Sequence, residues 1–234
     1  MDPGTPTIMS TDTNTALYRL LTWLSPAYPI GAFSYSQGLE TAVDLKLIVD
    51  AEMTQRWLED MLQNGSVWSD AVIFANCHKA ADLSALKEIN QFALALQPAA
   101  ELKAESLALG RAFVQTTLLA WPCEKLESAL DLIGEDFGYP CAVACAAAGH
   151  AIALPQAQQA WLHAAISNLI SAAVRLVPLG QSDGQRILAN LEEKILSAAV
   201  NARQTELADL ATSGLMAEIC AMRHETQHVR LFRS

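Results

Sequence analysis

Apolar residues recur at three- and four-residue spacing through almost the whole chain from Thr15 onward, the pattern of helices that bury one face. Ala16–Leu24 reads as a short apolar helix stopped by Ser25-Pro26. Asp50 stands where it caps a helix running to about Asn64-Gly65, with Met53, Trp57, Leu58, Met61 and Leu62 at helical spacing. Ser66–Ala81 and Leu83–Leu96 continue the pattern. Pro98 opens another helix to about Ala120, which offers Leu102, Leu107, Leu109, Phe113 and Leu118 for burial and turns Glu101, Lys103, Glu105 and Arg111 to solvent. Pro122 and the stretch Gly134–Pro140 are breaks. After them come Cys141–Ala153, a long helix with Pro155 at its first position through about Leu176, one from about Gln181 to Val200, and a last one from about Ser213. Strand-type alternation of useful length is absent. The expectation is an all-α, single globular domain of about ten helices, an irregular helical bundle, spanning residues 15–222. Residues 1–14, rich in Thr, Ser, Pro and Asp, read as a disordered tail, and Met9 is an alternative start.

Composition supports this picture. The 234 residues are 52% hydrophobic and 17% charged, enough apolar side chain for a sizeable core. Net charge is −10, whereas nucleic-acid binding needs a basic surface, so no nucleic-acid partner is expected. The most apolar run, Tyr139–Pro155, is too short to span a bilayer, and no secretory signal is legible, so the reading is cytoplasmic with no membrane partner. The five cysteines are odd in number and lack a C-x-x-C. They read as free thiols buried like small apolar side chains.

Candidate chemistry is sparse. His224-Glu225-Thr226-Gln227-His228 is a literal H-E-x-x-H, which on a helix places two imidazoles on one face for zinc and a glutamate beside them as general base. A zinc-dependent hydrolase using these residues is therefore the alternative function. Three facts oppose it. Val229–Ser234 supplies no third ligand, which leaves only an upstream one such as His150, His163 or Cys220, with nothing to select among them; a terminus frays unless docked; and Arg223, Arg230 and Arg233 repel a dication. His224 and His228 survive only as weak candidates for transient metal contact, and no cofactor is expected. The last twelve residues carry three arginines against one glutamate, with Leu231 and Phe232 among them, in an otherwise acidic chain. Apolar anchors beside arginines suit an interface. Folding of this segment back onto the acidic body is the equal alternative.

Two further stretches stand out. Ser25–Glu40 (SPAYPIGAFSYSQGLE) holds a proline–glycine turn that should start a helix near Phe33, with Tyr28, Phe33 and Tyr35 either packing inward or facing a partner. Pro178–Gln185 (PLGQSDGQ) is an elbow between two helices, around which Arg175, Gln181, Gln185 and Arg186 gather. Glutamines position or bind and do not transfer protons.

These three stretches, in this order, resemble the family of the urease accessory protein UreF. That family shows S-P-x-x-P-[VI]-G-[GA]-F-x-Y-S-x-G-L-E near its start, P-L-G-Q-[ST]-x-G-Q late, and a terminus like H-E-x-Q-x-x-R-L-F-x-S. Ala32 stands where a second glycine is common and Gln37 where histidine is frequent. The resemblance implies a non-enzymatic, all-α, homodimeric scaffold. It implies that the protein binds UreD (UreH) and recruits the GTPase UreG for nickel insertion into apo-urease, influencing the GTPase. Residues 223–234 would be the partner-docking tail, through Arg223, His224, Glu225, Gln227, Arg230, Leu231, Phe232, Arg233 and Ser234, ordering when UreD binds. Arg175, Gln181, Gln185, Tyr28, Phe33 and Tyr35 would add further partner-facing surface.

Overall fold

Eleven α-helices follow one another in the computed structural model, which describes residues 12–234. They are α1 (Thr13–Trp23), α2 (Leu39–Asp44), α3 (Ala51–Gln63), α4 (Ser66–Lys79), α5 (Leu83–Ala95), α6 (Ala100–Ala120), α7 (Glu124–Ile133), α8 (Tyr139–Gly149), α9 (Leu154–Leu176), α10 (Gln181–Gln204) and α11 (Leu215–His224). Short 3-10 turns occupy Ala32–Ser34 and Leu207–Asp209, and no strand occurs among the described residues. The all-α, single-domain expectation holds. The expected tail over residues 1–14 is shortened, because α1 already begins at Thr13; the rest of that expectation, with Met9, lies outside the described residues.

Several boundaries follow from local chemistry. Asp50 accepts from the Met53 amide at 2.8 Å and Asp82 from the Ala85 amide at 2.9 Å, two N-caps that satisfy otherwise orphaned helix donors. Pro155 sits in the first turn of α9, where its missing N–H costs nothing. Gly38, at φ 79°, marks the true start of the helix expected near Phe33; only a single 3-10 turn forms over residues 32–34.

The core is organised around α8. Its residues 140–147 are all buried, so this helix is apolar on every side and is enclosed by α4 and α6, with α7, α9 and α5 also touching it. Alanines and cysteines suit it, since small side chains let neighbouring backbones come close. Cys77, Cys141, Cys145 and Cys220 are buried and unpaired, and Cys123 is half-buried. Burial pushes the Cys77 thiol upward, and the neighbouring Cys141 adds to this, so the thiol stays protonated and inert. No helix among the described residues is long and apolar enough to cross a membrane.

Aromatic contacts then pin the Ser25–Phe33 turn to this core. Trp23 and Tyr28 both pack on Phe113 of α6, at centroid distances of 6.0 and 5.7 Å, and the Tyr28 hydroxyl meets Thr117 Oγ1 at 2.9 Å.

The tightest approach in the core lies at Gly110 of α6, where a β-carbon would come within 1.9 Å of the Phe137 carbonyl oxygen. Gly110→Ala must push the backbone before α8 away from α6. A loss of about 3 kcal/mol and a fall in Tm of roughly 10 °C are expected in thermal unfolding.

Candidate functional site

The three distinctive sequence stretches, far apart in the chain, converge on one side of the bundle. The joint between the first and the third is Glu40, in α2. Its position is set by Gly38, which lies so close to α11 that a β-carbon there would reach the Ala221 amide nitrogen at 2.6 Å. With α2 and α11 in such contact, the Glu40 carboxylate is only 8% exposed and receives the end of the chain. Oε1 accepts from the Leu231 amide at 2.6 Å and Oε2 from the Phe232 amide at 2.9 Å.

His224 completes this buried cluster. Its ring is fully buried, with Nδ1 2.6 Å from Glu101 Oε2 and Nε2 3.2 Å from Glu40 Oε2. Carboxylates only accept, so both contacts are satisfied together when both ring nitrogens carry protons. Glu101 also holds Arg230, Nη1 to Oε1 at 2.5 Å, while the same guanidinium donates to the carbonyls of Gln227 and Glu225, each at 2.7 Å. Glu225 accepts from the Ala100 amide at 2.7 Å, placing a negative charge at the N-terminus of α6. Gln227 accepts from the Thr41 hydroxyl at 2.9 Å.

The last residues are fastened beyond Glu40. The Arg233 amide donates to Ser34 O at 2.8 Å, and Ser234 O accepts from both the amide and the hydroxyl of Ser36, at 2.9 and 2.5 Å. Ser234 Oγ donates to Glu105 Oε2 at 2.5 Å. Phe232 is buried beneath Arg175, whose guanidinium carbon lies 4.2 Å above the ring centroid. Arg175 also donates to Phe33 O at 2.6 Å. One side chain at the start of the elbow thus ties the tail to the turn.

Several expectations are corrected by this geometry. Helix α11 ends at His224, so His228 is not one helical turn further along the same face: it is exposed while His224 is sealed inside with both nitrogens engaged. The two imidazoles do not form a metal pair. Among the described residues no group of three His, Cys, Asp or Glu side chains is arranged to hold a metal ion, and the geometry gives a zinc hydrolase no support. Glu105, assigned to solvent, is buried. So are Tyr28 and Tyr35, whereas Phe33 is 63% exposed, leaving it as the ring of the three available to a partner. The segment after Arg223 lies on the chain's own body, the alternative that the sequence left open. Its outer side still presents Arg223, Val229, Leu231 and Arg233, and the elbow presents Gln181 and Gln185.

Ser36 and Glu40 lie in the first distinctive stretch, but nothing in it marked them as anchors of the tail, and Glu101 and Glu105 read as solvated, since glutamates at helical positions normally face water. The departure at Gln37 has a structural use. Its amide donates to Glu105 Oε1 at 3.0 Å and its carbonyl faces the Ser66 hydroxyl at 3.3 Å. Burial pushes the Glu105 carboxyl up to about 7, against the pull of its donors Ser234 and Gln37. Asp70 of α4 is likewise pushed up to about 7, by burial first and by the nearby Glu105 charge second.

Comparison with known proteins bears on the whole chain. A family model described as UreF matches residues 48–192, a span that contains the elbow but neither the Ser25–Glu40 turn nor the tail. A urease accessory protein UreF of Rhodopseudomonas palustris (strain BisB5) is 44% identical over 229 residues, covering 97% of this chain and 94% of the relative. The UreF of strain HaA2 is 41% identical over 237 residues and all of both chains. That of Bradyrhizobium sp. (strain ORS 278) is 44% identical over 225 residues, covering 94% of this chain and 92% of its own.

Two outcomes follow from the buried carboxylates. Glu40→Gln keeps the shape but puts an NH2 where one backbone amide donates. Hydrogen exchange at the Leu231 and Phe232 amides should quicken about tenfold or more while that of α8 is unchanged; equal exchange in both proteins would show that Glu40 does not hold the tail. For Glu105 the folded value, about 7, exceeds the ordinary 4.5. Below the ordinary value both folded and unfolded chains hold the proton and nothing is lost. Between the two values only the folded chain holds it, so stability falls as pH rises through 7. Glu105→Gln removes that loss, so its Tm relative to the parent should be higher at about pH 8 than at about pH 5.

Proposed function

We propose that this chain, which belongs to the UreF family of urease accessory proteins, is a non-enzymatic scaffold that docks the accessory protein UreD (UreH) and recruits the GTPase UreG for nickel insertion into apo-urease. The observation that carries this reading is an apolar stripe left without a partner at the C-terminal end. Leu215, Met216, Ile219 and Met222 are between 46% and 66% exposed, and their spacing puts them on one face of α11. Immediately after the helix, Val229 is 83% and Leu231 62% exposed, flanked by Arg223 and Arg233. Single exposed apolar residues are ordinary; six within seventeen residues, rimmed by arginines, suit a protein–protein interface.

The buried cluster around Glu40 gives this surface its shape. Backbone hydrogen bonds to Glu40, Ser34 and Ser36 use up the inward side of residues 231–234, so that alternate side chains point outward in a fixed arrangement. A docking element held in this way loses less chain entropy on binding than a free tail. The elbow contributes a second, polar surface. Gln181, Gln185 and Arg186 are exposed there, with Arg186 held by Asp183 at 2.7 Å, and this is the side we propose for the GTPase. A homodimer completes the reading.

The test is a pull-down with UreD as the partner. Deleting Val229–Ser234 removes both the outward side chains and the bonds to Glu40, so a surface variant accompanies it. Val229→Glu combined with Leu231→Glu leaves every backbone bond of the tail in place. Both variants should keep their helical circular dichroism and lose the partner, the double substitution weakening affinity by roughly 30-fold or more. Retention of the complex by the double variant would sink the docking assignment.

A further inference from the structure

Beneath the Ser25–Phe33 turn lies a cavity of about 410 Å³, bounded by the end of α1, the turn itself, α4, α6 and α9. Its size is that of a small-molecule site, where pockets run from roughly 300 to 1,000 Å³. Trp23, Tyr28, Tyr139 and Trp161 contribute to its walls. Two carboxyl groups, Asp70 and Glu105, also line it, and no lysine or arginine does; His163, exposed at the rim, is the one side chain of basic type.

The polar groups of this cavity are incompletely satisfied. Among the described residues five buried side-chain nitrogen or oxygen atoms lack a hydrogen-bond partner, and four of them belong to residues lining this one cavity: Trp23 Nε1, Asp70 Oδ1, Trp161 Nε1 and Ser167 Oγ. Leaving such a group unmade costs about 1–3 kcal/mol each; two of the four are indole donors, so the acceptor side of this imbalance lies with Asp70 and Ser167. The two carboxyl groups differ in this respect. Glu105 has Gln37 on one oxygen and Ser234 on the other, whereas Asp70 Oδ1 accepts from nothing. Oδ1 is itself closed off, but Asp70 is only half-buried where it lines the cavity and neither of its oxygens accepts a hydrogen bond, so an arriving donor finds its acceptor on this side chain.

We propose that this cavity is a binding site for a small organic cation, a primary amine or amidine carrying an aromatic or branched apolar body. The ammonium or amidinium group supplies N–H donors to Asp70. The aromatic walls bury the carbon body and attract its charge through their ring faces. An anion meets two carboxyl groups and no compensating cation. A bare divalent ion needs several oxygen or nitrogen ligands at short range, and no three such side chains are so arranged among the described residues. The site is separate from the apolar stripe of α11 and does not depend on its role as a docking surface. It shares Glu105 with the tail, so occupancy and the seating of Ser234 are neighbours in space.

The experiment is calorimetric titration of the full-length protein with phenethylamine, isoamylamine and benzamidine, beside the uncharged 2-phenylethanol and the anionic phenylacetate. Phenethylamine should bind about tenfold or more tighter than 2-phenylethanol, the worth of a charge-assisted hydrogen bond, and phenylacetate should not bind. Asp70→Asn, which keeps the shape, should reduce the amine's advantage to within about threefold. In NMR the indole N–H signals of Trp23 and Trp161 should shift, and those of Trp57 and Trp68, which do not line the cavity, should stay. The preference of the parent protein for amine over alcohol decides the matter even where Asp70→Asn fails to fold. Equal binding of amine and alcohol, shifts that spare Trp23 and Trp161, or no binding of any of the three cations below about 10 mM would overturn the proposal and leave a water-filled cavity.

Discussion

A carboxylate carried out of water must be met by donors, and Glu40 is met almost wholly by groups from the last eleven residues of the sequence given. Two backbone amides and an imidazole converge on it, and breaking a buried cluster of this kind by removing one member typically costs about 3–5 kcal/mol. Glu40 lies at the start of α2, fixed by the close approach of Gly38 to α11. The helix pair that brings the tail within reach and the carboxylate that holds it are therefore products of one packing contact. What the tail displays outward is set by what Glu40 demands inward.

The same economy joins the other two stretches. Arg175, just before the elbow, covers Phe232 and holds the carbonyl of Phe33, so tail, turn and elbow meet at one guanidinium. A planar group that stacks with its face and donates with its edge does both at once, which a lysine in that position does not. Glu105 plays a matching part from below, joining Gln37 of the turn to Ser234 of the tail across the rim of the cavity.

The helices were legible where local chemistry decides them. The cap at Asp50, the proline opening α9 and the start of α10 at Gln181 involve partners three or four residues away. The family resemblance was legible too, in three short stretches. The site itself was not, because the bonds that seat the tail on Glu40, Glu101 and Glu105 join residues more than a hundred positions apart. Glu105 occupies a helical position that reads as solvated, and only Ser234, 129 residues later, reveals that it is buried. The H-E-x-x-H spacing implied one helix face; α11 instead stops at His224, with neither glycine nor proline beside Glu225 to announce it.

Sequence distance has a consequence in time. Glu40 Oε1 bonds an amide 191 residues further along the chain. At ribosomal rates of roughly 5–20 residues per second, α2 is made about 10–40 s before its partner segment exists. During that interval the nascent chain carries the Glu40 carboxylate beside an apolar neighbourhood with its donors still unsynthesised. Contacts of this span form late, so the Glu40 carboxylate is met only after the tail has been made and has reached it.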